Sequence, residues 1–296
     1  MAKVIVVGSN RFVGFHLCTS FLNEGIEVKG YTHEAHKGES SLQEEMLAFL
    51  GRNANFTSEQ IEDENWQLTI DSDTEVVYFT YFDGGDFDHL EFLREKMQDA
   101  NKALIQTITT CRQTNTKLVF LSSLRVFGDE QTEITEETIP KPDHREGKLM
   151  LHFEKMIEKS TQPDFPCMIV RVPTVYGPWQ PLAMCYQHTI IHKTQKQNVE
   201  EDTRHLLYID DVVKALKVSQ RVPFNYELVH LVNSQDREWG KGAHLLKIKG
   251  IEEKVNEFKE SVKAKELLNF QPKVSIKEGM YQQMSHTRAM FSYMSL

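Results

Sequence analysis

The residues from 8 to 14 have the types and the spacing of an anion-binding turn. The apolar run from Lys3 to Val7 predicts a buried strand that ends at Gly8, and a helical pattern begins at Phe12. The free N–H groups and the dipole at the start of a helix favour a phosphate there. Gly8 would permit the turn, and Gly14 would let the helix pack closely on the strand. The segment therefore predicts a site for a dinucleotide pyrophosphate.

Arg11 stands where the usual glycine pattern of such turns has its second glycine. A side chain at this position removes the close approach of the backbone to the phosphate, but its guanidinium could pair with it. The alternative interpretation is an ordinary strand–helix turn without a ligand. The residues of this turn that we predict to contact a cofactor are Gly8, Asn10, Arg11, Phe12, Val13 and Gly14.

Strand and helix patterns alternate along most of the chain. This alternation predicts an α/β fold, a doubly wound parallel sheet of the Rossmann type with a small C-terminal α/β substrate lobe. The predicted division is a Rossmann body over residues 1–178 and a lobe over 179–296, with a helix at 210–219 that packs back on the body. The predicted strands lie at 3–7, 27–31, 75–79, 117–121 and 167–172, with weaker ones near 56 and 228–232; the predicted helices lie at 12–23, 101–111 and 147–159 and near 42–50, 183–194, 210–219 and 260–268.

Composition narrows the class of protein. The 296 residues are 40% hydrophobic, which is enough for a large core, and the formal charge of −9 disfavours nucleic acid as a partner. No apolar run approaches the length of a membrane span, and we expect no membrane partner. The four cysteines lie far apart, mostly in apolar stretches, which is typical of buried, reduced thiols. With no recognisable signal peptide, the sequence predicts a cytoplasmic protein.

Several motifs follow one another in a recognisable order. They are Leu121–Gly128 (LSSLRVFG), Lys148-Leu149-Met150, Arg171–Trp179 (RVPTVYGPW), Arg204–Val212 (RHLLYIDDV) and Lys263–Lys273 (KAKELLNFQPK). In order and spacing the chain resembles the extended short-chain dehydrogenase/reductase family, also called the NAD-dependent epimerase/dehydratases. The run from Thr174 to Trp179 is most similar to the UDP-uronate 4-epimerase branch, and the turn with Arg11 is similar to an atypical subgroup with a GGTRFxG loop.

The resemblance implies a catalytic serine, tyrosine and lysine. Ser123 matches the serine, which would polarise the reacting oxygen, and Lys148 matches the lysine, which would hold the nicotinamide ribose. His144 stands where the tyrosine should be. An imidazole exchanges protons near neutral pH, so His144 is predicted to replace the tyrosine in acid–base catalysis. The alternative is a surface histidine in a chain that has lost this step.

The resemblance also implies a dinucleotide cofactor, with further departures from the family pattern. Thr32 stands where an aspartate usually binds the adenosine ribose, so NADP is as plausible as NAD. Tyr81 and Phe82 replace small residues beside the cofactor, and Asn101 matches an asparagine that opens the next helix. We predict that Thr32, Tyr81, Asn101 and Lys148 contact the cofactor.

For the substrate, the resemblance implies a sugar or nucleotide sugar. Thr174 and Arg204 are the predicted contacts, the arginine gripping a diphosphate. The predicted function is epimerase/dehydratase-like hydride transfer through NAD or NADP. A non-catalytic NAD(P)-binding sensor or scaffold is the alternative, and RNA binding fits the acidic charge poorly. By family analogy, a homodimer would form through the helices of Asn101 and Lys148.

The sequence predicts no metal site. His33 and His36 are three residues apart, not the four that two metal ligands on one helix face need, and Cys185, His188 and His192 are interpreted as part of a half-buried helix. The acidic run from Glu200 to Asp202 predicts a solvated loop.

Overall fold

A computed structural model describes residues 2–34, 38–61, 66–160, 165–196, 200–232, 238–251 and 257–293. Its strands, in chain order, are β1 (Lys3–Val7), β2 (Glu27–Thr32), β3 (Phe56–Gln60), β4 (Thr74–Phe79), β5 (Lys117–Ser123), β6 (Glu133–Ile134), β7 (Cys167–Val172), β8 (Thr174–Tyr176), β9 (Leu206–Tyr208), β10 (Tyr226–His230) and β11 (Glu257–Phe258). Its α-helices are α1 (Phe12–Leu22), α2 (Ser40–Leu50), α3 (Leu90–Thr114), α4 (Arg145–Ser160), α5 (Cys185–His192), α6 (Ile209–Arg221), α7 (Glu238–Leu245), α8 (Val262–Leu268) and α9 (Ile276–Tyr293), and 3₁₀ turns cover Gly84–Asp88 and Leu124–Val126.

Seven strands form one parallel sheet in the order β10-β7-β5-β4-β1-β2-β3. The chain runs from β1 outward to β3 and then crosses back to β4 on the other side of β1. The order of strands therefore reverses between β1 and β4, which is where open α/β sheets bind ligands at the carboxyl ends of their strands. The predicted α/β fold of the Rossmann type is confirmed.

Strand β1 contributes side chains to the hydrophobic cores on both faces of the sheet. Val4 and Val6 belong to the core on the side of α1 and α6, whereas Ile5 and Val7 belong to the core on the side of α3 and α4. All four side chains are fully buried. Because successive side chains of a strand point to opposite faces, a continuous apolar run is what a strand covered on both faces requires.

Residues beyond 178 contribute to the same sheet and to its cover. Strand β10 pairs with β7 at the sheet edge, and α6 packs on α1, where Lys217 Nζ donates to Ser20 Oγ at 2.9 Å. Helix α9 was not predicted. It is joined to the rest of the structure by a buried amide network in which Gln283 donates to Gln180 and to Gln187. The four cysteines are buried and free, as predicted.

Within the described ranges, no helix has both the length and the apolar character needed to cross a membrane.

The close packing of α1 on β1 generates a stability prediction. A Cβ at Gly14 would lie 2.0 Å from the Gly8 carbonyl oxygen, so Gly14→Ala must push the helix away from the strand. We expect a loss of about 3 kcal/mol or more in the free energy of unfolding, measured by urea denaturation. Gly51→Ala is the matched control, because its Cβ would meet only the Leu47 carbonyl oxygen at 3.3 Å. It should change stability by less than about 1 kcal/mol, and equal effects of the two substitutions would contradict the packing argument.

Candidate functional site

The turn between β1 and α1 has the backbone that the sequence predicts. Gly8 has a φ of +92°, and a Cβ there would lie 2.4 Å from the Thr80 carbonyl oxygen. The left-handed backbone and the close neighbour both require glycine at this position. With Gly14 holding α1 near the strand, the first N–H groups of α1 lie beside the carboxyl ends of β1 and β4.

The side chains of the turn are bound within the protein. The Arg11 guanidinium is only 1% exposed, and its Nη2 lies 3.3 Å from Asp86 Oδ2 while Nη1 donates to Asp86 Oδ1 at 3.4 Å. Arg11 Nε lies 3.1 Å from His33 Nε2. Asn10 is also buried, and its Nδ2 donates to the His33 carbonyl oxygen at 2.9 Å. The charge of Arg11 is therefore already paired inside the fold.

The residues that follow β2 and β4 fill the space beside the turn. The rings of His33 and Tyr81 stack at 3.7 Å between centroids with 9° between their planes, and both side chains are buried. Burial lowers the pKa of His33 well below its usual value, and the charge of Arg11 adds to this effect, so the ring is neutral. Thr32 is buried at the end of β2, where its hydroxyl donates to the Glu59 carbonyl oxygen at 3.5 Å.

A carboxylate lies at the N-terminus of α1. Asp83 Oδ1 accepts a hydrogen bond from the Phe12 N–H at 2.9 Å, and Phe12 is the first residue of the helix. Burial raises the pKa of Asp83 to about 7, with Arg11 opposing the shift and Asp86 adding to it. An acceptor at this position satisfies a helix N–H group and interacts favourably with the helix dipole.

The backbone of this turn fits a dinucleotide, but the side chains around it do not. Asp83 takes the N–H group that a phosphate would use, and Arg11 is paired with Asp86. The stacked rings of His33 and Tyr81 pack into the neighbouring space. In this arrangement the turn does not accept a pyrophosphate.

A cleft lies at the carboxyl ends of β5 and β7 and extends to the N-terminus of α1, where Phe12, Val13 and Asp83 line it. It encloses about 90 Å³, small beside the roughly 300–1,000 Å³ of typical small-molecule sites. Among the described residues that line the cleft there is no lysine, arginine or histidine. Its polar lining includes Ser123, Thr174, Asp83, Glu146, Glu201 and Asp202.

Ser123, the predicted catalytic serine, ends β5 and opens into this cleft. Its Oγ accepts a hydrogen bond from the Arg125 N–H at 3.1 Å, and its hydroxyl lies near enough to the Glu146 carboxyl to lower the pKa of that carboxyl. Burial raises the pKa of Glu146 above its usual value, although Arg125 and the Ser123 hydroxyl oppose the shift. A hydroxyl and a carboxyl with a raised pKa thus lie together in the cleft, which is an arrangement suited to proton transfer.

His144 lies outside this cleft. Its Nε2 is 2.8 Å from Asp129 Oδ2 and 3.4 Å from Asp143 Oδ1, on the half-exposed rim where α4 begins. The ligand atoms of the three residues all lie within 4.8 Å of one another, a spacing that a metal ion could bridge. In the described structure the imidazole itself links the two carboxylates. His144 and Glu146 both line a second, smaller pocket of about 40 Å³ next to the cleft.

Lys148 and Asn101 do not line the cleft that contains Ser123. Lys148 is exposed on α4 and does not line the cleft. Asn101 is half-buried on α3, with its Oδ1 3.2 Å from His152 Nε2 of α4. The structure therefore brings only Ser123 of the predicted catalytic trio into the cleft.

Of the two predicted substrate contacts, Thr174 lines the cleft and donates through its hydroxyl to the Asp202 carbonyl oxygen at 2.6 Å. Arg204 is 3% exposed, and its guanidinium binds Asp202 Oδ2 at 2.7 Å. The same guanidinium also donates to the carbonyl oxygens of Phe127 and Leu124. Arg204 thus joins Asp202 to the 3₁₀ turn after β5, and its donors are used within the fold.

The predicted solvated loop over Glu200–Asp202 is wrong for two of its residues. Asp202 is buried in the pair with Arg204, and the Glu201 carboxylate accepts from the Cys185 N–H and from Trp239 Nε1, both at 2.9 Å. A run of three acidic residues is usually solvated, which is the basis of the prediction. The partners of Glu201 come from α5 and α7, which are distant in the chain.

Three candidate site residues, Asp83, Asp86 and Glu146, were not predicted from the sequence. Asp83 and Asp86 form a capping box for the 3₁₀ turn at Gly84–Asp88, and their three-residue spacing directly after β4 was a usable signal. Glu146 lies two residues after His144, and its position gave no separate signal.

Comparison with known proteins agrees with this architecture. Residues 4–225 match the model of the NAD dependent epimerase/dehydratase family. A Bacillus subtilis protein described as an uncharacterised UDP-glucose epimerase, YtcB, is 23% identical over 98% of this chain and 99% of its own length. The UDP-glucuronic acid 4-epimerase of Bacillus cereus, solved in complex with NAD, superposes with a TM-score of 0.76 at 22% identity and covers 98% of this chain and 99% of that one. The dTDP-glucose 4,6-dehydratase of Bacillus anthracis, also solved with NAD, has a TM-score of 0.76 at 14% identity over 99% and 98% of the two chains.

The chain belongs to the NAD dependent epimerase/dehydratase family. The predicted resemblance to that family is confirmed, and the likeness to the solved structures confirms the fold.

The buried pair of Asp202 and Arg204 generates a second stability prediction. Burial opposes ionisation of Asp202, but the charge and hydrogen bonds of Arg204, with help from Arg125, lower its pKa to about 2. Asp202→Asn leaves the Arg204 charge buried without its partner, so we expect a loss of about 3–5 kcal/mol in unfolding free energy at pH 7.

The stabilisation by Asp202 is complete above its unfolded pKa of about 4 and is lost as the pH falls towards 2. The difference between wild type and Asp202→Asn in urea denaturation should therefore shrink over that window. Asp71→Asn is the control, since its side chain is 62% exposed beside Lys3 and should cost less than about 1 kcal/mol. A difference that does not change with pH would contradict the assignment.

Proposed function

We propose that this chain is an epimerase or dehydratase that acts on a nucleotide sugar, with the sugar in the cleft beside Ser123. Family membership supports the reaction class, and relatives described as UDP-glucose and UDP-glucuronic acid epimerases support the substrate class. The observation that carries the proposal is the position of the cleft. It lies at the carboxyl ends of β5 and β7, with the Ser123 and Thr174 hydroxyls on its walls.

The lining of the cleft suits the sugar better than the diphosphate. Carboxylates accept hydrogen bonds from sugar hydroxyls, and protein hydroxyls can both donate and accept them. Phe87, Met150 and Met184 offer apolar surface to the ring. Carboxylates such as Glu146 and Glu201 would repel a diphosphate. The nucleotide end of the substrate therefore lies outside the enclosed part of the cleft.

Ser123 and Glu146 are the proposed proton-transfer pair. Ser123 would bind the reacting sugar oxygen, and Glu146, which lines the same cleft near the Ser123 hydroxyl, would exchange a proton with it. His144 is the alternative acid–base group. Its hydrogen bond to Asp129 on the rim of the cleft favours Glu146 for this role.

NAD is the proposed cofactor because the family is defined by it and both solved relatives described above hold it. Since the side chains around the turn after β1 do not fit a dinucleotide as they stand, binding requires them to move.

The proposal is tested by mixing the purified chain and NAD with UDP-glucose, UDP-galactose, UDP-glucuronic acid or dTDP-glucose. We expect a rise in melting temperature with at least one of these compounds and its conversion, followed by proton NMR. The proposal fails if none of the four produces either a thermal shift or a new sugar signal at millimolar concentration.

The assignment of the proton-transfer group is tested with Glu146→Gln and His144→Ala. Loss of an acid–base group costs about 100-fold or more in kcat, so Glu146→Gln should show this loss with substrate affinity retained. His144→Ala should lower kcat by less than about tenfold, because it leaves the cleft unchanged. A large loss of kcat in His144→Ala with a small loss in Glu146→Gln would assign the acid–base role to His144.

A further inference from the structure

The contact between Asp83 and α1 is built into the fold. The Asp83 N–H donates to Asp86 Oδ2 at 2.9 Å, and the Asp86 N–H donates to the Asp83 carbonyl oxygen at 3.0 Å. The same Asp86 carboxylate pairs with Arg11. Asp86 therefore contacts both Arg11 in the turn and Asp83 at the N-terminus of α1. The Asp83 carboxylate is thus positioned by groups on both sides.

The charges around this contact oppose a further anion. Asp83 and Asp86 both lie near the N-terminus of α1, and Glu39 adds a third carboxylate to the group. Arg11 is the cation that lies among them, and it is within 4 Å of both Asp83 and Asp86. A pyrophosphate that arrived at the Phe12 N–H would meet carboxylates whose nearest cation is already paired.

The space beside the contact is filled as well. His33 and Tyr81 stack next to Arg11, and the His33 Nε2 lies 2.8 Å from the Tyr81 carbonyl oxygen. This stack packs the guanidinium against the turn, so Arg11 cannot leave Asp86 without disturbing two buried rings. The arrangement is a closed cluster of Arg11, His33, Tyr81, Asp83 and Asp86.

We propose that Asp83 is an internal competitor for the dinucleotide pyrophosphate, and that NAD binds only when this carboxylate leaves the N-terminus of α1. The inference rests on the proposed function for its use of NAD. Affinity for NAD is then weak in the wild-type chain, because every binding event must break the hydrogen bond between Asp83 and Phe12.

The test compares NAD affinity by isothermal titration in the wild type and three variants. Asp83→Ala removes the competing acceptor and should raise affinity by about tenfold or more. Asp83→Asn removes the charge but keeps an oxygen that can accept from the Phe12 N–H, so its gain should be smaller. Asp88→Ala is the matched control, since Asp88 lies in the same 3₁₀ turn but pairs with Lys196, and its affinity should equal that of the wild type.

Three results would overturn the inference. They are equal affinity in wild type and Asp83→Ala, wild-type protein that already carries stoichiometric NAD after purification, and no binding to either protein at millimolar NAD. If Asp83→Ala does not fold, the NAD affinity of the near-isosteric Asp83→Asn is compared with that of the wild type instead. Binding of UDP-glucuronic acid to the same proteins is measured separately. Its absence would count against the proposed substrate class without changing the comparison of NAD affinities.

Discussion

The N-terminus of α1 presents N–H groups and the positive end of a helix dipole at the point where the order of strands reverses. In this fold that position attracts an anion, and the rest of the site depends on which anion takes it. Here it is the carboxylate of Asp83, from the loop after β4. Arg11 pairs with Asp86 beside this carboxylate, and the stacked rings of His33 and Tyr81 pack next to Arg11.

The turn after β1 and the neighbouring cleft beside β5 therefore differ in their chemistry. In the turn after β1, Arg11 stands where the usual pattern has a glycine, and the Phe12 N–H is bound by the Asp83 carboxylate. The cleft beside β5 keeps the hydroxyls of Ser123 and Thr174 and adds Glu146, whose raised pKa suits it to move protons. The structure thus has an open cleft beside β5, while the turn after β1 is closed by its own side chains.

The sequence predicted those parts of the structure that depend on local patterns. The strands of the parallel sheet, the tight turn at Gly8 and the packing role of Gly14 follow from apolar runs and from glycine positions, and the structure confirms them. The sequence did not predict partners that come together only in the folded chain. Arg11 was interpreted as a phosphate ligand because its pairing with Asp86, 75 residues away, leaves no local signal. The prediction of a solvated Asp202 is wrong for a similar reason, and the buried amide contact of α9 likewise joins residues distant in the chain, Gln283 and Gln180, which are 103 residues apart.

Crystal structures of the wild-type protein grown with and without NAD test most directly whether Asp83 competes with the pyrophosphate for the Phe12 N–H. Without NAD, Asp83 should accept the hydrogen bond from the Phe12 N–H, and with NAD the pyrophosphate should take that N–H while the Asp83 carboxylate has turned away. A structure in which NAD is bound while Asp83 still contacts the Phe12 N–H would contradict the central claim.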